Sequence, residues 1–297
     1  DKHRSENAVS SFVLYSNNQF NPFWNSRLTL AEGTDKGKSF TNDAAPTRTD
    51  SRNWQLQWQN DFKLAPGHVL AGGLERQEQR VESTTNYTVK GRDVSSALLA
   101  YNGRLDAHQL QVSLRNDAYS DFGGARSWLA GYGYDINQDW KITAMRSTAF
   151  RAPTFNELFF PGFGNPNLQP ERSYSNEIGL QYAGGPNLVR YAVFRTKYQN
   201  LIDSPPPTFL PQNVARASVE GHELSYTGQF QHWDIRTSLT VQDPINAMTG
   251  AKLRRRGTVF GNVVASAEVH DWRLGGELII SGTRPDNNIA TNAPVTL

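Results

Sequence analysis

Side chains able to do chemistry are scattered in this chain. The six histidines are His3, His68, His108, His222, His232 and His270, and four of them (His68, His108, His232 and His270) sit beside short turns rather than near one another. A metal centre needs several ligands converging on one point, and no H-E-x-x-H stretch is present, so no metal ligand and no cofactor is assigned. The absence of cysteine removes thiol nucleophiles, thiolate zinc sites and disulfides. Neither a G-x-S-x-G nucleophile turn nor a glycine fingerprint for nucleotides occurs in a strand–helix setting. Asp and Glu alternate with Arg and Lys, so no carboxylate pair of the glycosidase kind stands out. These spacings support no enzyme. Two other clusters could bind something. Arg254-Arg255-Arg256 could fork onto phosphate groups or be plain solvated charge, and no aromatic platform accompanies it for nucleic acid. Phe155, Phe159, Phe160 and Phe163, followed by Asn165, lie in a stretch broken by Pro153, Pro161, Gly162, Gly164, Pro166 and Pro170. Rings on such an excursion can receive a bulky ligand or pack the loop against its neighbours.

The elements that must carry these clusters follow a period of two. Trp54, Leu56, Trp58 and Phe62 alternate with Gln55, Gln57, Gln59 and Asp61, which reads as a two-faced strand. The same alternation places Leu110, Val112 and Leu114 opposite Gln109, Gln111, Ser113 and Arg115. It places Ile178, Leu180 and Tyr182 opposite Glu177 and Gln181, and Trp233, Ile235, Leu239 and Val241 opposite Asp234, Arg236 and Ser238. About 14 strands of about 9–11 residues are expected, with no competing helix pattern. Their connections alternate in length. Tight turns at Asn21-Pro22, Ala65-Pro66-Gly67, Asp106-Ala107, Asn137–Asp139, Gly184–Asn187, Gln231-His232 and His270-Asp271 are separated by long polar stretches at Glu32–Ser51, Gln77–Arg92, Arg151–Glu171, Leu201–Asn213 and Asp243–Arg255.

Short turns at one end and long loops at the other are the pattern of an antiparallel transmembrane β-barrel, whose inner wall is wet. That architecture reconciles a mean hydropathy of −0.59 with 11% aromatic residues, because only alternate side chains need be apolar. Trp24, Trp140, Trp233 and Trp272 each follow a short turn, where an indole ring suits a membrane interface. The alternative is that they staple hairpins of a soluble β-sheet. The net charge of +2, spread over 30 basic and 28 acidic residues, argues against nucleic acid.

Two stretches carry a family resemblance. Phe150-Arg151-Ala152-Pro153, followed by Gly164-Asn165-Pro166, Leu168 and Pro170-Glu171, resembles the signature of TonB-dependent outer-membrane receptors. Asn213, Gly221 and Glu223 resemble the Asn-x(7)-Gly-x-Glu element of the same family. In loop spacing the chain looks most like its vitamin B12 (cobalamin) transporters.

The resemblance implies a barrel of about 22 strands around an N-terminal plug. It implies active import of a large scarce ligand, with energy delivered by the TonB–ExbB–ExbD complex through the plug. Residues 1–297 are then expected to be a partial barrel, lacking the plug and the final strands, and to close only with their flanks. The expected ligand is cobalamin, the expected place the outer membrane of a Gram-negative bacterium. Phe155, Phe159, Phe160, Phe163 and Asn165 are the candidate substrate contacts. Arg115, Glu177, Glu223 and Arg236 are expected to face the lumen, and Glu171 and Glu223 to serve lumen hydrogen-bond networks. Arg254-Arg255-Arg256 would meet lipopolysaccharide phosphates. A ferric siderophore or haem receptor of the same family, a passive porin-like barrel and a soluble β-rich binding protein remain as alternatives.

Overall fold

Fourteen antiparallel strands pair strictly in chain order in a computed structural model that describes residues 3–42, 44–204, 208–287 and 294–296. They are β1 (His3–Asn21), β2 (Trp24–Thr41), β3 (Thr47–Ala65), β4 (His68–Ser83), β5 (Gly91–Leu105), β6 (His108–Tyr119) and β7 (Gly123–Asp135). β8 (Trp140–Arg151), β9 (Glu171–Gly184), β10 (Asn187–Asp203), β11 (Gln212–Phe230), β12 (Trp233–Asn246), β13 (Val259–Val269) and β14 (Trp272–Ser281) complete the sheet. One helical turn, α1 (Phe155–Phe159), interrupts the β8–β9 connection. A separate hairpin of β15 (Pro285–Asn287) and β16 (Pro294–Thr296) pairs only with itself. Residues 43, 205–207 and 288–293, within expected connections and the tail, lie outside the described residues.

Local chemistry explains the tight turns. Asn21 Oδ1 accepts from the amides of Phe23 and Trp24 at 3.0 and 2.8 Å, and Asn137 Oδ1 does the same for Asp139 and Trp140 at 2.9 Å each. Asp106, Gln231 and His270 hold φ of 50°, 56° and 57°, the left-handed backbone that two-residue hairpins demand. Trp24, Trp140, Trp233 and Trp272 each open the strand after such a turn.

Most strands run longer than the expected 9–11 residues, with 19 in β1, β3 and β11, while β13 and β14 keep to it at 11 and 10. The β2–β3 ladder continues from Trp24↔Phe62 to Ser39↔Thr47, so the long connection expected over Glu32–Ser51 shrinks to 42–46. Backbone pairing needs no apolar side chains, so polar segments extend the ladder beyond the two-faced region. The Arg151–Glu171 connection, by contrast, begins and ends where expected, because Pro153 and Pro170 cannot supply ladder amides.

Register sorts the side chains into an apolar and a polar face. Leu28, Trp58 and Leu74 form one cross-strand row and remain 47%, 47% and 57% exposed. Among the described residues no protein layer covers this face. A soluble sandwich would bury such a row, whereas a barrel wall gives it to lipid. Along β3 the apolar run from Phe62 to Trp54 measures about 26 Å, the depth of a lipid band once strand tilt is allowed for. Near the short turns the face carries Phe20, Trp24 and Phe62, with Trp24 stacked on Phe62 and tilted against Phe20. His68 and His108 bond there through Nδ1 to the hydroxyls of Tyr101 and Tyr132, each at 2.6 Å, which satisfies their polar atoms beside an apolar surface. Within the sheet β1 and β14 each have one neighbour, leaving two open edges.

Candidate functional site

The β8–β9 connection is built by clamps at both ends. Thr154 caps α1: its hydroxyl accepts from the Glu157 amide at 3.2 Å, and the Glu157 carboxylate accepts from the Thr154 amide at 2.7 Å. This four-residue signal makes a helical turn too short to show periodicity, and it corrects the expectation of a helix-free chain. Arg151 then grips both strands of the stem, donating to Glu157 at 3.0 and 3.1 Å and to Glu171 at 2.8 Å on each oxygen. The bonds to Glu171, and then to Glu157, raise the guanidinium further above its ordinary value, against burial. Burial alone would push the Glu157 carboxyl up, but the bonds from Arg151 and the Thr154 amide prevail and hold it below the usual carboxylate range.

The second motif closes the same loop. Asn213 accepts from the Gln169 amide at 2.7 Å and donates to the carbonyls of Gln169 and Asn200 at 2.8 Å each. Asn165 donates to the Pro211 carbonyl at 2.9 Å and accepts from the Asn167 amide at 3.0 Å. Both polar ends of that candidate ligand contact are thus engaged by the protein itself. Glu171 also accepts from the Ile202 amide at 2.8 Å. Leu158 and Leu168 fill the interior of the loop, 2% and 1% exposed. Gly164 packs so closely on α1 that a Cβ there would lie 2.6 Å from the Leu158 carbonyl oxygen. Gly162, with φ of 74°, is the position that needs glycine's conformational freedom.

Two residues without any motif pin this loop to β5 and to the β4–β5 connection. Arg92, on the polar face of β5, is buried, bonds through Nε to Asp121 at 2.7 Å and donates to the Pro153 carbonyl at 2.8 Å. Its guanidinium also lies 5.6, 5.4 and 5.2 Å from the ring centroids of Tyr119, Phe122 and Phe155. Tyr87, from the β4–β5 connection, donates to Asn156 at 2.5 Å and meets Phe160 edge-on at 5.8 Å, and burial pushes its phenol up. Neither partnership is readable in sequence, since 61 and 69 residues separate the bonded pairs.

Between the loop and the polar face of β1–β4 lies an open trough of about 950 Å³, lined by Phe155, Asn156, Phe160, Tyr87, Asn53 and Gln79 among others. Phe155 and Phe160 therefore reach the trough. Phe159 sits behind Phe155 at 6.3 Å and Phe163 behind Phe160 at 6.4 Å. Aromatic rings above and amides below suit a large ligand with both apolar and hydrogen-bonding surface.

The register puts Arg115, Glu177, Glu223 and Arg236 on the polar face. Arg115 donates to Asp117 at 2.9 Å, Glu75 at 3.1 Å and Ser96 at 3.0 Å. Asp117 Oδ2 is buried there without a partner among the described residues. Glu177 accepts from Arg190 at 2.7 Å. Glu223 and Arg236 make no hydrogen bond or ion pair among the described residues, whereas Glu171 is bonded to Arg151 and to the Ile202 amide in the loop stem. No group of three or more metal-ligating side chains is found among the described residues.

Comparison with known proteins agrees with this geometry. Residues 2–295 match the family model described as TonB dependent receptor-like, beta-barrel. The chain is 30% identical over 294 residues to the vitamin B12 transporter BtuB of Photobacterium profundum, covering 94% of this chain and 47% of that protein. It is 30% identical over 258 residues to BtuB of Vibrio vulnificus, covering 83% and 41%. A mutant ferric enterobactin receptor of Pseudomonas aeruginosa, solved with enterobactin, superposes with a TM-score of 0.84 at 17% identity, over 98% of this chain and 54% of that one. The chain spans about half the length of the curated relatives it matches. With the family model covering nearly every residue, the chain belongs to the TonB-dependent receptors, of whose β-barrel it forms a fourteen-stranded arc.

Proposed function

We propose that this protein is an outer-membrane receptor for active import of vitamin B12, and that its ligand first lands in the trough beneath Phe155 and Phe160. The observation carrying this reading is the trough itself: rings from a doubly clamped loop facing the amides of Asn53 and Gln79 across about 950 Å³. The choice of cobalamin rests on the two relatives named BtuB. The likeness to solved ferric-catecholate and ferric enterobactin receptors and to an iron transporter, at 12–17% identity, speaks for the fold alone.

The open edges of β1 and β14 fit a larger barrel, because unpaired ladder groups are costly in hydrocarbon. We therefore read residues 1–297 as an arc that closes with further strands and encloses a plug, through which the TonB–ExbB–ExbD complex would deliver energy. The protein binds and moves its ligand without altering it.

Equilibrium binding of cyanocobalamin to the intact protein in detergent, with ferric enterobactin as competitor, tests the reading. Tight binding that the siderophore does not displace is expected, and Phe155→Ala/Phe160→Ala should weaken it by on the order of 100-fold, as expected when two buried aromatic contacts are lost. Displacement by ferric enterobactin, or unaltered affinity in the double variant, would overturn the ligand or the trough respectively.

A further inference from the structure

The apolar face holds a second feature that ligand import does not use. Above its lipid band, on the long-loop side, β7 to β10 carry Arg126, Arg146, Arg172, Arg195 and Lys197, all exposed. Register gathers them. Arg146 and Arg195 flank Asn176 in one row, Lys197 and Thr148 flank Tyr174 in the next, and Arg172 lies opposite Phe150 above. With strands about 4.8 Å apart and a rise of about 3.3 Å per residue, the cluster spans about 14 by 13 Å. Ile142, Ile178, Leu180 and Val193 lie directly beneath it on the same face.

These cations are poorly neutralised. Arg195 pairs with Glu220 at 2.8 Å and Arg126 bonds to Asn116 at 3.1 Å, while Arg146, Arg172 and Lys197 have no hydrogen bond or ion pair among the described residues. On β2–β5 the same level is internally paired, Arg52 with Glu32 at 2.5 Å and Arg76 and Arg80 with Asp93 at 2.9 and 2.7 Å. The run expected to meet phosphates, Arg254–Arg256, sits in the β12–β13 connection, where Arg255 is taken up by Asp286 at 2.9 Å. Unpaired cations bordering an apolar wall call for an anion that sits at the edge of hydrocarbon, which is where a membrane lipid holds its phosphate.

We propose that Arg126, Arg146, Arg172, Arg195 and Lys197 form a binding site for the phosphate groups of an outer-leaflet glycolipid of the lipid A type. Acyl chains would lie along Ile142, Ile178 and Leu180, and the guanidiniums would fork onto the phosphates above. The proposal rests on the outer-membrane reading but not on the identity of the imported ligand.

Native mass spectrometry of the intact protein in detergent, titrated with bisphosphorylated lipid A, its dephosphorylated form or phosphatidylglycerol, tests it. Bisphosphorylated lipid A should bind tightest. Arg146→Gln/Arg172→Gln/Lys197→Gln should weaken it about 100-fold, from about fivefold per charge, with heat-modifiable mobility and cobalamin binding unchanged. Lys36→Gln/Lys38→Gln, neutralising exposed cations of β2, should leave lipid binding intact. Undiminished binding by the triple variant, equal loss in the β2 variant, or equal binding of dephosphorylated lipid A would overturn the site. Phosphatidylglycerol bound as tightly as lipid A would overturn its assignment to the glycolipid. Cobalamin binding in the same samples keeps failure of this site distinct from failure of the import reading.

Discussion

Replacing Arg92 with Met should release the β8–β9 loop without unfolding the sheet. The Arg92 and Asp121 side chains are 5% and 7% exposed and joined at 2.6 Å, and Arg92 also satisfies the Pro153 carbonyl at 2.8 Å. Methionine fills much of the space between Tyr119, Phe122 and Phe155 but strands the Asp121 carboxylate, whose Oδ1 has no partner among the described residues. Breaking a buried pair from one side costs about 3–5 kcal/mol. At 1.4 kcal/mol per tenfold, amide protection of α1 and of Asn165 and Leu168 should fall by about 100-fold or more, up to the loop's own opening free energy. Hydrogen exchange read by mass spectrometry over 154–168 measures it, with the β3–β4 ladder as internal reference. Arg92→Met/Asp121→Leu should recover much of the loss, because no charge is then left buried alone. Unaltered exchange over 154–168 in the single variant, or a double variant as costly as the two single changes added, would refute the claim that Arg92 positions the loop.

Acid should loosen the same loop through Glu157. Its folded pKa lies below its ordinary value of 4.5, so its contribution is complete above about that pH and is lost as pH falls through the lower folded value. Exchange over 154–168, corrected for intrinsic rates, should therefore accelerate on acidification from pH 4.5 downward, and Glu157→Gln should abolish that dependence; the same profile in both proteins would remove Glu157 from the account. Gly164→Ala should disrupt the loop by driving a Cβ to 2.6 Å from the Leu158 carbonyl oxygen. Overpacking of this kind costs about 1–3 kcal/mol, which proteolysis of the loop would register, whereas Gly162→Ala, with nothing within 4 Å, should act only through its φ of 74°.

Much of the wall is legible in sequence because its physics is local. The alternation Trp54-Gln55-Leu56-Gln57-Trp58 fixes which side faces lipid, and Asn21 and Asn137 fold their own turns. Strand ends are less legible, since Lys36–Ser39 pairs with Thr47–Asp50 without any apolar side chain, where period two separates no inside from outside. Arg92 and Tyr87 escaped for a different reason. Each is an ordinary residue of a polar segment until the barrel brings Pro153 and Asn156 against it, and no spacing in one sequence encodes that approach.

The residues that identify the family differ from those that line the trough. Arg151, Asn165, Glu171 and Asn213 direct their polar atoms to one another, to Glu157 or to the backbone of the loop and its neighbours. Gly221 serves the wall in the same way, since a Cβ there would lie 2.7 Å from the Val241 carbonyl oxygen. A clamp of this kind holds Phe155 and Phe160 at a fixed height over the trough whatever lies below. On the proposed import reading, discrimination falls to side chains that no motif constrains: Ser51, Asn53 and Gln79 on the facing wall. Exchanging those residues should change which ligand is held and leave protection of the loop unaltered, whereas changes in the clamp should alter protection first and weaken every ligand alike.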